Sequence, residues 1–128
     1  MSGFIGDLRA LLVDDDQSGK WQLLEPLSFK SDLVGQIFTA PAGFVTDFCS
    51  VPRVPLAFAL LGDRARKSGT LHDWLYTSHV VDRETADKVL REMLPLNGVD
   101  ACEAQAFYLG VRMGGGSHWG PDPVKPAI

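Results

Sequence analysis

The chain has 128 residues, 45% of them hydrophobic and 22% charged, with a formal net charge of −4. That length and balance fit one domain with a core large enough to fold without disulfide or metal staples, and they exclude a disordered chain. The twelve basic residues are scattered, with only Arg64, Arg66 and Lys67 clustered, so the basic stripe expected of a nucleic-acid binder is missing.

In chain order, the first apolar segments are "FIGDLRALLV", "WQLLEPLSFKS" and "LVGQIFTAPAGFV". Turn material separates them, namely "DDDQSGK" and Ser31-Asp32. Val34, Gln36 and Phe38 alternate in part, and Pro41-Ala42-Gly43 closes that segment. The reading is a small antiparallel sheet, although Leu8, Leu11 and Leu12 also have helical spacing. Asp14-Asp15-Asp16 invites calcium, but the glycine and glutamate of a calcium loop do not follow it; a solvated turn is the simpler reading.

From Val54 the periodicity turns helical. "VPLAFALLG" predicts a short apolar helix ending at Gly62, and "DRARKSGTLHDWLYTSHV" a second one with Asp63 as its N-cap. Ala65, Gly69, His72 and Tyr76 form one stripe of that helix. "DRETADKVLREML" predicts a third, starting at Asp82 with a charged first turn, ended by Pro95, and facing inward with Ala86, Val89, Leu90 and Met93. In "GVDACEAQAFYLGVRMGG" the residues Cys102, Ala106, Leu109 and Met113 share a face. The closing "GGGSHWGPDPVKPAI" reads as an irregular arm. The expectation is an α+β domain over residues 1–113, a small N-terminal antiparallel sheet followed by three to four helices, with a Gly/Pro-rich arm over 114–128.

Cys49 and Cys102 are too few for a disulfide scaffold and read as buried free thiols. The N-terminus lacks a basic region followed by a long apolar run, and no stretch approaches the ~20 apolar residues of a membrane span. The expected product is soluble, made in the cytoplasm, with no membrane partner.

Two strings carry the chemistry: "TDFCSVPR", from Thr46 to Arg53, and "LHDWLY", from Leu71 to Tyr76. Neighbouring side chains on a helix diverge by about 100°, so His72 and Asp73 cannot address one partner along one line. Gly69, a turn before His72, weakens the helix by about 1 kcal/mol relative to Ala, which fits close approach of another backbone, such as the tight Asp47–Pro52 segment. Three readings stay open. In a metal site, Asp47, His72 and Asp73 hold zinc or manganese, with Asp87 as a possible fourth ligand and an open position to activate water. In a thiol mechanism, Cys49 is the nucleophile, His72 its base, and Asp73 or Asp47 the orienting carboxylate. In a structural clamp, Asp47, Arg53, His72 and Asp87 pair among themselves, as buried charges must. The clamp is favoured, because an adjacent His-Asp pair is a weak signal and no H-E-x-x-H, P-loop, G-x-S-x-G or G-x-G-x-x-G is present. Trp21 and Trp74 read as core or interface aromatics, and His79 as a favourable charge at a helix C-terminus.

Taken together, "APAGFVTDFCSVPR", "LHDWLY", "DRETAD" and "FYLGVR" resemble the domain-of-unknown-function family numbered 1353, found in tailed bacteriophages and prophages. Gly43, Phe44, Thr46 and Asp47 match its first element, and Ser50, Pro52 and Arg53 its second. His72, Asp73, Leu75 and Tyr76 match the third, and Arg83, Ala86 and Asp87 the fourth. The resemblance spans roughly Trp21 to Trp119. It implies a phage origin and marks Asp47, Ser50, Arg53, His72, Asp73, Tyr76 and Asp87 as one polar cluster. Cys49 stands where the family has a small residue, which weighs against the thiol mechanism.

Two functions follow as expectations. The first is a phage accessory protein acting by binding, a virion component at the tail, neck or capsid surface. It would contact other phage structural proteins through His118 and Trp119, need no cofactor, and be open to homo-oligomerisation. The second is a metal-assisted hydrolase, acting on peptidoglycan, in which Asp47, His72 and Asp73 hold zinc or manganese. There Arg53 would stabilise developing negative charge, and Tyr76 or Asp87 would move a proton.

Overall fold

A computed structural model describes residues 1–13, 20–46 and 66–121, with the side chains of residues 117 and 118 excepted. The chain is an α+β fold. Its strands are β1 (Gly3–Ile5), β2 (Ala10–Leu12), β3 (Trp21–Leu23), β4 (Leu27–Ser31), β5 (Gln36–Ala40) and β6 (Val45–Thr46). Its helices are α1 (Arg66–Ser78), α2 (Arg83–Met93), α3 (Ala101–Gly114) and the single turn α4 (Gly116–Trp119), with a 3-10 turn at Leu94–Asn97. The short apolar helix expected after Val54, and the Asp63 cap, lie outside the described residues, as does the Asp14–Asp16 turn.

The expected single sheet is two. Strands β1, β4 and β5 make one antiparallel sheet in the order β1-β4-β5, and β2, β3 and β6 make another in the order β2-β3-β6. The cause is visible in the first segment: Gly6 adopts φ +89°, a conformation glycine tolerates. The chain therefore breaks between β1 and β2, and the two halves join different sheets. Helical spacing of Leu8, Leu11 and Leu12 does not prevail, because each half finds a strand partner: Phe4 pairs with Phe29, and Ala10 with Leu23.

The first sheet is two-faced, as a period of 2 requires. Leu27, Phe29, Phe38 and Ala40 are buried, whereas Lys30 and Ile37, a cross-strand pair, face solvent. Against its buried face lie Leu71 and Leu75 of α1, then Ala86, Val89, Leu90 and Met93 of α2. Asp82 caps α2 by accepting from the Thr85 N–H at 2.7 Å, and Asp100 caps α3 by accepting from Glu103 at 2.8 Å. The α2 helix stops at Met93, and Pro95 opens the 3-10 turn that follows.

The α3 helix turns an unexpected stripe inward. Ala104, Phe107 and Val111 are buried, whereas Cys102, Ala106, Leu109 and Met113 are exposed. Cys102 is therefore a free surface thiol rather than a buried one. Packing chose Phe107, the largest apolar side chain available to fill the space beside α2.

Glu92 ties sheet to helices. Its carboxylate accepts from Ser31 Oγ at 2.6 Å and from the backbone N–H groups of Asp32 and Leu33 at 3.0 and 3.1 Å. Ser2 Oγ donates to it as well. The β4–β5 turn, with Gly35 at φ +78°, is thus held by α2.

Candidate functional site

Helix α1 crosses α2 so that His72, Tyr76 and Asp87 meet. Residues four apart on a helix lie on one face, so His72 and Tyr76 present together, with ring centroids 4.4 Å apart. Asp87 receives both: its Oδ1 lies 2.8 Å from His72 Nε2 and accepts from the Tyr76 hydroxyl at 2.6 Å. Arg112 of α3 donates from Nη1 to Asp87 Oδ2 at 2.9 Å. One carboxylate therefore joins all three long helices. It is fully buried, and His72 is 1% exposed.

Asp73 does something else. One position on, its side chain turns to the second sheet, where Oδ2 accepts from Thr46 Oγ1 at 2.6 Å. The divergence of His72 and Asp73 around the helix thus becomes a division of labour: one binds helix to helix, the other binds helix to sheet. The adjacent Phe44 and Trp74 rings meet edge-on at 5.3 Å on the same side.

Electrostatics in the cluster are set by burial against donation. Burial alone would push the Asp87 carboxyl up. Hydrogen bonds from His72, Tyr76 and Arg112 outweigh it, and the group is held below its ordinary value. For Tyr76, burial and the bond to Asp87 both act upward, so its phenol stays protonated far into the alkaline range. Arg112 is pushed up by its bond to Asp87. Because an ionised carboxylate only accepts, His72 Nε2 must carry the proton in its bond to Asp87. A metal ligand there would be restricted to Nδ1.

The structure brings together His72, Tyr76 and Asp87, places Asp73 beside them toward Thr46, and leaves Asp47, Ser50 and Arg53 outside the described residues. Cys49 lies outside them too. Among the described residues no group of three or more His, Cys, Asp or Glu is arranged to hold a metal. His72 and Asp73 diverge around the helix, and Asp47, the further ligand of the metal reading, lies outside the described residues.

Two members escape a reading by residue type alone. Arg112 is part of the cluster, its signal being the terminal arginine of "FYLGVR". Arg83 supports it from outside, donating from Nη2 to the Arg112 carbonyl at 2.9 Å. Trp119 also belongs here. Its indole stacks on His79 at 3.8 Å and meets Tyr76 edge-on at 5.1 Å, while His79 Nε2 bonds the Trp119 carbonyl at 2.8 Å. His79, expected at a helix C-terminus, sits just past α1 at φ +55°. Of His118 only the backbone is described, within α4.

No helix among the described residues is long and apolar enough to cross a membrane. The chain belongs to the family described as Protein of unknown function (DUF1353), whose model matches residues 21–111. No curated protein and no solved structure matches it.

Proposed function

We propose that this DUF1353 member is a bacteriophage accessory protein that works by binding, as a virion component at the tail, neck or capsid surface. The observation that carries the reading is the closure of the polar cluster. His72, Tyr76 and Arg112 all spend a donor on Asp87, and the imidazole and carboxylate are sealed from solvent. A general base or metal ligand needs an open side toward substrate; this group faces inward and holds three helices in register.

The surface suits contact rather than catalysis. Cross-strand register puts Leu11, Gln22 and Val45 on one row of the second sheet. Leu11 and Val45 of that row are exposed, as are Val13 and Leu24, which directly follow β2 and β3. Exposed apolar side chains gathered on one face mark interaction sites. The expected partners are other phage structural proteins or further copies of this chain.

One observation favours the hydrolase as a second reading. A carboxylate on one nitrogen of an imidazole is also how metal-binding histidines are oriented, and zinc or manganese would then need Nδ1 of His72 together with Asp47.

The test is quantitative mass spectrometry of purified particles produced with the protein present. A fixed copy number per particle, lost in a variant carrying Leu11→Lys and Val45→Lys that still folds, is the expected result. Absence from particles, with release of soluble fragments from cell-wall substrate by the purified protein, would favour the second reading.

A further inference from the structure

The cluster has a cover, and the cover is poorly fastened. After α3 the chain passes Gly114-Gly115-Gly116, makes the one turn of α4 and reaches Gly120 at φ +67°. This strap lies against Tyr76. A Cβ on Gly115 would stand 2.5 Å from the Tyr76 hydroxyl and 2.5 Å from the Val111 carbonyl, so only glycine permits the approach. Trp119 then closes the far end against Tyr76 and His79.

Two features oppose the closed position. His79, which holds Trp119 by stacking and by its bond to the Trp119 carbonyl, is the one non-glycine among the described residues with positive φ. That is a strained conformation for a side chain with a Cβ, and such strain collects at switches. Ser78 Oγ and Arg83 Nη1 are both buried without a hydrogen-bond partner. Ser78 adjoins His79 in the chain, and Arg83 Nη1 lies 3.3 Å from where a Gly116 Cβ would be. Stranded buried polar groups disfavour the state that strands them, and both flank the strap.

We infer that residues 115–119 form a hinged strap that swings off Tyr76, pivoting at Gly114–Gly116 and at Gly120 and released at the His79–Trp119 contact. Opening gives Ser78 and Arg83 to water, relaxes His79, and uncovers the Tyr76 hydroxyl with the Asp87 carboxylate behind it. It also presents the Trp119 indole to a partner. The strap stands on its own geometry, whether the cluster beneath it is a clamp or a site.

The test is fluorine NMR of the full chain labelled with 5-fluorotryptophan, the Trp119 line being assigned with Trp119→Phe. The expected result is exchange between two states for Trp119, with Trp21 and Trp74 unaffected. Gly115→Ala, which adds the excluded Cβ, should raise the open population at least tenfold. His79→Ala removes the latch without adding a clash, and should raise the population of the second exchanging state should Gly115→Ala not fold. A single exchange-free Trp119 line in the wild type, still single and exchange-free in His79→Ala, overturns the strap.

Discussion

At Asp87 one buried carboxylate accepts from His72, Tyr76 and Arg112. Asp87→Asn removes the charge and sets an NH2 donor against one of these donors, and should cost about 3–5 kcal/mol, the scale for breaking one partner of a buried ion pair, measured by urea unfolding at neutral pH. The pH dependence has a definite sign. A carboxyl held low in the folded state adds stability that is present above its unfolded value, about 3.9, and is lost as pH falls through the folded value. The stability difference between wild type and Asp87→Asn should accordingly shrink below pH 4; a constant gap down to pH 2 would contradict it. Tyr76 runs the other way. Its raised value means that stability is full below about pH 10, the ordinary tyrosine value, and declines as pH rises beyond it. Tyr76→Phe should cost about 1.5–3 kcal/mol at neutral pH, the scale of a bond to a charged group, and flatten the alkaline limb of a stability–pH curve.

Elements repeat the lesson that local chemistry is legible and packing is not. The helix start at Asp82 and the inward stripe of α2 follow from spacing and residue type, and the structure has both, with Asp82 serving as the N-cap. Asp82→Ala should cost about 1 kcal/mol in thermal or urea unfolding, the usual worth of a cap. The meeting of His72 with Asp87 is half-legible: the helical period puts His72 and Tyr76 on one face, but the partner comes from another helix, so its identity depends on how α1 and α2 cross. The two side chains of the "HD" doublet point to different elements, as the helical period requires, but which elements they reach is set by packing. In α3, two apolar stripes compete on one helix, and only the space beside α2 selects Phe107 over Leu109. For Trp119, a glycine-rich setting has no periodicity to read, so its docking on Tyr76 and His79 leaves no trace in the sequence pattern.

Over the whole molecule, the polar groups form a chain of ties between elements: Asp73 to the second sheet, Asp87 among three helices, and Glu92 to the first sheet. Where these ties hold the fold and the exposed apolar faces meet a partner, His72 is a structural residue and not a metal ligand. The direct measurement is metal content of the purified protein, wild type beside His72→Ala, with urea unfolding of both. The predicted result is no stoichiometric zinc or manganese in either, and a loss of about 1.5–3 kcal/mol of stability in the variant, whose Asp87 keeps Tyr76 and Arg112 but loses one donor to a buried charge. Near-stoichiometric metal in the wild type, lost in a His72→Ala protein of unchanged stability, would contradict the account and make the cluster a reactive centre.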